Sequence, residues 1–163
     1  MTNTQDDPRT KIYELIDDIE IAMLTTTEVD GSLRTRPMAN QRADRAGAIW
    51  FFTEKDGSVI RNVEANPMVS LGYASSGAYV AVTGRAEMVE DRGLIDELWS
   101  EDVNAWFPKG KDDPNLTLLK VEPDVGEYWS FPSAPVSQVI GYVKAKLTGQ
   151  PADDIGEHRK VLL

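Results

Sequence analysis

The chain has 163 residues, 41% of them hydrophobic and 27% charged, and it has no cysteine. That length and balance fit one globular domain, and the missing thiols exclude disulfides, cysteine nucleophiles and Cys-based zinc or iron–sulfur centres. A net charge of −10 disfavours nucleic acid and anionic membrane as partners. The polar start MTNTQDDPRT lacks the basic and apolar regions of a secretory signal, and no apolar run reaches the roughly 20 residues of a membrane span, so a cytoplasmic protein is expected.

Asp7-Pro8 reads as an N-cap with proline in the first helical turn, and Ile12, Leu15, Ile16 and Ile19 follow at helical spacing. Residues 21–27 form a first strand, and Val29-Asp30-Gly31 turns it. Residues 32–41 return as a second strand. Pro37 inside it calls for an edge or a bulge, because proline donates nothing to a ladder. The aromatic run at 48–53 is a third strand, and residues 58–65 form a short helix stopped by Asn66-Pro67. Strands at 68–74 and 78–90 follow, the second with a bulge at Gly84.

Asp91 caps a helix carrying Leu94, Ile95, Leu98 and Trp99. Residues 116–123 and 126–131 read as the last two strands. Val136, Val139, Ile140, Val143 and Leu147 mark a final helix, and the tail from 150 is polar up to Val161. About seven hairpin-linked strands with four short helices describe a mainly β, α+β barrel or sandwich. They do not describe an alternating βαβ sheet. One domain spans 1–163, with 150–163 as its C-terminal tail.

The chain's one histidine, His158, lies in that tail, so neither a Ser–His–Asp triad nor a His pair at metal-ligand spacing is available, and no metal centre is expected. With few side chains suited to difficult chemistry, a bound cofactor is expected to carry any enzymatic reaction. Residues 31–62 carry six basic and three acidic residues within an acidic chain, a local positive patch suited to a small anion or to ordinary strand edges. Lys55-Asp56-Gly57-Ser58 opens the helix that carries Arg61. Free N–H groups, Gly57, the Ser58 hydroxyl and the Arg61 guanidinium can together hold a phosphate, or Ser58 can simply cap the helix. Trp50, Phe51, Phe52, Tyr73, Tyr79 and Trp129 lie on neighbouring strands, either as core or as walls for a flat apolar ring. Alternation sends Phe51 and Thr53 to one face and Trp50 and Phe52 to the other.

The succession LRTRPM (33–38), IWFFTEKDGSVIRNVEANPMVSLGY (49–73), YVAVTGRAEMVEDR (79–92), LLKVEPDVGEYW (118–129) and GEHRKVLL (156–163) resembles the general stress protein 26 family. That family belongs to the pyridoxamine 5′-phosphate oxidase-like, FMN-binding split-barrel group. The resemblance covers nearly the whole chain. It implies a six-stranded antiparallel split barrel, a homodimer, and FMN (or FAD) at the subunit interface.

Carried over residue by residue, the resemblance places Arg36 at the flavin phosphate, with Pro37 and Met38 in the same strand motif. It puts Gln41 where the oxidases have a lysine near the ring. Phe52 and Thr53, with Phe51 before them, form the aromatic–Thr step at the pyrimidine side, and Trp129 is contributed by the partner subunit. The family's phosphate-binding Ser and Lys fall on Gly57 and Val59. Ser58 and Arg61 then stand in for them, and a lysine at 59 would restore the contact unless Val59 is core. No Arg-x-His follows Trp129, so vitamin B6 oxidation is not expected. The implied function is a flavin-dependent oxidoreductase of unspecified substrate with a stress-related role. Alternatives are a flavin-binding or sensing module without turnover, and a heme or deazaflavin binder on the same barrel.

Overall fold

A computed structural model describes residues 7–41, 47–131 and 156–163. The expected helix over 136–147, and Arg42, Asp44 and Arg45 of the basic stretch, lie outside the described residues.

Helix α1 (Pro8–Asp17) begins as its sequence dictates, with the Asp7 carboxylate accepting from Arg9 N–H and Pro8 in the first turn. Its Ile12 and Ile16 are fully buried. Strand β1 (Ile21–Thr27) buries Ala22, Leu24 and Thr26 on one face. It turns at Gly31, φ +86°, into β2 (Leu33–Ala39). Strand β3 (Ile49–Glu54) precedes α2 (Ser58–Ala65). Next come β4 (Met68–Ala74), β5 (Ala78–Val89), α3 (Arg92–Leu98) and α4 (Glu101–Asn104), then β6 (Leu116–Ser130) and β7 (Glu157–Leu162).

The antiparallel sheet runs β2-β1-β4-β5-β6-β3. Pro37 sits on its edge strand, where a missing N–H costs no ladder bond. Among the described residues, the two ends of the path meet through one bridge, Gln41 N–H to the Trp50 carbonyl at 3.0 Å, so the barrel is split rather than closed. Six strands make this path, as the resemblance implies, and β7 is a seventh. It takes residues 125–130 on the edge of β6 whose first half pairs with β3.

Two sequence readings are corrected here. Residues 116–123 and 126–131 are one strand, because the bulge at Thr83/Gly84 absorbs the register shift beside Pro123 and pairing resumes beyond it. The tail is not merely polar: residues 157–162 pair as a strand. Helix α4 had no clear signal.

The barrel core gathers Ile12, Ile16, Leu24, Phe51, Leu71 and Tyr128 with the buried face of α2. A second cluster lies outside β3, where Trp50 and Phe52 pack under α3 and α4 with Ile95, Val103 and Leu118. Both faces of β3 are therefore covered, which explains its unbroken apolar run.

Candidate functional site

Alternation along β2 turns Arg34, Arg36 and Met38 toward the barrel interior and Leu33, Thr35 and Pro37 outward. Arg36 Nη1 donates to Thr26 Oγ1 at 3.1 Å. Asn62, buried on α2, donates to the same oxygen at 2.9 Å. Thr26 thus ties the helix that follows β3 to the arginine of the edge strand. Arg36 Nη2 also lies 3.6 Å from Glu28 Oε1, and Arg34 Nη1 lies 3.5 Å from the same atom. Among the described residues, Arg36 Nε and Nη2 have no hydrogen-bond partner although both are shielded from solvent. Burial, then repulsion from Arg34, pushes the Arg36 pKa below its ordinary value against the opposing pull of Glu28. This is a cation prepared for more anionic contact than the chain gives it.

An open cleft of about 910 Å³ is lined by the residues that follow Arg36 in the chain, Pro37 to Gln41. Phe52, Val103 of α4, and Trp106 and Phe107 after it line the cleft as well, together with four carboxylates, Asp17, Glu20, Glu101 and Asp102. Phe52 is held edge-on against Trp99 and Phe107, with centroids 5.5 and 6.3 Å apart. Asn40 fixes the end of β2, its N–H bonded to the Glu20 carbonyl at 2.7 Å and its amide to the Ile16 carbonyl at 3.1 Å. The apolar part of this lining, Met38, Phe52, Val103, Trp106 and Phe107, suits a flat ring system.

The other expected site residues are placed as follows. Phe51 is fully buried, and its ring packs the barrel core. Thr53 is buried opposite Thr117. Gly57 is the N-cap of α2, so the helix has no side-chain cap, and Ser58 is half-buried in its first turn. Arg61 donates to the Asp56 carbonyl at 2.7 Å, so part of its guanidinium braces the loop before α2. Val59 is 6% exposed within the core cluster, so residue 59 does not face an anion at the surface. Trp129 is not part of the cleft lining. It stacks on His158 at 4.9 Å on the outer face, in register with Tyr79. Sequence reasoning missed Thr26, Glu28 and Asn62. A hydroxyl on the buried face of β1 and an amide on the apolar face of α2, one turn from Val59, were the available signals.

Residues 7–153 match the family described as pyridoxamine 5′-phosphate oxidase like. General stress protein 26 of Bacillus subtilis is 34% identical over 125 residues, which cover 74% of this chain and 86% of that protein. Among solved structures, a general stress protein 26 from Jannaschia sp. CCS1 has a TM-score of 0.75 at 31% identity, covering 96% of this chain and 99% of that one. The general stress FMN/FAD binding protein of Xanthomonas citri has a TM-score of 0.66 at 31% identity, covering 77% and 90% respectively. With the split barrel, its order of strands and these matches in agreement, the chain belongs to the pyridoxamine 5′-phosphate oxidase like family.

Proposed function

We propose that this protein binds a flavin, FMN or FAD, between the two subunits of a homodimer, uses it for electron transfer, and acts in a stress response as the name of its relatives has it. One observation carries the reading: Arg36, which directly precedes the cleft-lining Pro37 and Met38, holds two shielded guanidinium nitrogens without a hydrogen-bond partner among the described residues. A phosphate fits those donors, since an arginine fork matches two of its oxygens at once. Met38 and Phe52 offer the apolar surface that a ring system needs. The flavin, when bound, supplies the redox chemistry. The chain's own residues position it: Thr26 orients Arg36, and the Gln41–Trp50 bridge holds the cleft wall.

The homodimer is supported by apolar side chains left exposed on the outer sheet face, Ile21, Met23 and Met68 among them. A second reading is binding or sensing without turnover: among the described residues the cleft lining holds no histidine or lysine, and its proton-carrying groups are the carboxylates Asp17, Glu20, Glu101 and Asp102. The absorption spectrum of freshly purified protein tests the flavin directly and separates it from heme and deazaflavin. Bleaching by NAD(P)H without oxygen then separates turnover from mere binding. Arg36→Ala is expected to weaken FMN about ten- to a hundredfold, and Arg34→Ala less. Equal losses would count against the assignment of Arg36.

A further inference from the structure

Glu28 stands between two arginines without bonding properly to either. Its Oε1 lies 3.5 Å from Arg34 Nη1 and 3.6 Å from Arg36 Nη2. A formed charge-assisted N–H···O bond closes to about 2.7–2.9 Å. The oxygen is shielded from solvent, yet it has no hydrogen-bond partner among the described residues, and neither do Nε and Nη2 of Arg36. Unpaired donors and an unpaired acceptor side by side carry a desolvation cost with no bond to offset it.

Two neighbours of that carboxylate are fixed, Arg36 and the Glu28 main chain. Arg36 is held by Thr26, and Thr26 is also bonded to buried Asn62. The Glu28 main chain is locked in the hairpin turn, its N–H bonded to the Ser32 carbonyl at 2.7 Å and its carbonyl to Gly31 N–H at 2.9 Å. Arg34, 57% exposed, is loosely seated, and so is the Glu28 side chain. It can rotate away without breaking a hydrogen bond, and at 27% exposure it has a route toward water.

We propose that Glu28 is a built-in counter-ion for the seat of the ligand's phosphate. Its carboxylate neutralises Arg36 and Arg34 when the seat is empty and swings out when a phosphate arrives. Glu28 thereby sets how strongly phosphorylated ligands are preferred over unphosphorylated ones. The identity of the ligand rests on the flavin reading above. The anion seat rests on the Glu28, Arg34 and Arg36 geometry alone. A phosphate presents several oxygens and can satisfy Nε and Nη2 together, which one carboxylate oxygen at 3.6 Å does not. The competing role for Glu28 is structural, an ion pair that steadies the β1–β2 hairpin.

Glu28→Gln keeps the shape and removes the charge. Calorimetric titration of this variant and the wild type with inorganic pyrophosphate, FMN and riboflavin tests the proposal, with thermal melts of both alongside. The variant is expected to bind pyrophosphate and FMN about tenfold more tightly and riboflavin unchanged. That gain should vanish when Arg36→Ala is added. Equal or weaker pyrophosphate affinity in the variant overturns the proposal, as does riboflavin tightening by the same factor. If neither flavin binds either protein, the flavin reading falls, while the pyrophosphate comparison still decides the role of Glu28. Should Glu28→Gln fold poorly, Glu28→Asp draws the carboxylate back by one methylene. It should give a smaller gain in the same direction, and no gain overturns the proposal equally.

Discussion

Thr26 Oγ1 accepts from Arg36 Nη1 at 3.1 Å and so couples the buried face of β1 to the edge strand β2. Register puts Arg36 opposite Leu24, so the guanidinium reaches diagonally to a residue two positions along the neighbouring strand.

Thr26→Val removes that acceptor and leaves the buried Asn62 amide without the partner it has at 2.9 Å. Stability should fall by about 1–3 kcal/mol, read from urea unfolding. FMN affinity should fall as well, with riboflavin less affected because it carries no phosphate for Arg36 to hold. Thr26→Ser keeps the hydroxyl and should retain most of both. A valine variant that binds FMN as well as the wild type would show that Arg36 needs no orienting partner.

Val59→Lys tests the alignment that puts the family's phosphate lysine at residue 59. Val59 is 6% exposed in the barrel core, so the lysine must bury its ammonium or disrupt the packing of Ile60 and Val63. The melting temperature should drop by about 2–4 °C for each kcal/mol lost, with a total loss of several kcal/mol. FMN affinity should not rise. Tighter FMN at an unchanged melting temperature would restore residue 59 to the phosphate site.

The exposed apolar side chains of β1 and β4 predict a homodimer. Met23 stands between Pro37 and Gly72 on the outer face, and Met68 follows on the same face of β4. Light scattering at micromolar concentration should give twice the 18.1 kDa chain mass. Met23→Glu, which puts a charge at the centre of that face, should shift the mass toward the monomer. A wild-type mass of one chain would refute the dimer.

Tyr128 gives the seventh strand an alkaline signature. Burial, then its 2.6 Å hydrogen bond to the Glu157 carboxylate, pushes the phenol up to about 12. An unfolded tyrosine loses its proton near pH 10. The folded state therefore holds the proton more tightly. The resulting stabilisation is fully present below about pH 10 and is lost as pH rises through about 12. Tyr128→Phe should be less stable at neutral pH, by about 1 kcal/mol for the lost bond, and should decline less steeply between about pH 10 and 12. Tyr73, also pushed up by burial, contributes alike in both proteins, so the difference between the two curves isolates Tyr128. Parallel curves would mean that Tyr128 does not hold its proton.

Much of the fold was legible because it depends on neighbours in the chain. Asp7 and Asp91 cap the helices that follow them through bonds spanning two and three residues, to Arg9 and Leu94. Gly31 takes the positive φ that its turn requires. The split barrel followed from the family resemblance carried by the motifs of β2 and β3.

The sequence by itself determined the elements that short-range chemistry decides: alternation, caps, turns and the edge position of Pro37. Tertiary structure alone decided what depends on residues far apart. Strand β7 has no apolar alternation, because it is held by ladder bonds to one edge of β6 rather than by a buried face of its own. Val59 and Asn62 share a helix face with the same apolar period, but only packing against β1 makes one a core residue and the other a donor to Thr26, 36 positions away. The same holds for Glu28: hydropathy reads it as a turn residue, and only the closing of β1 on β2 sets its carboxylate between Arg34 and Arg36, because a charge acts through distance in space and not along the chain.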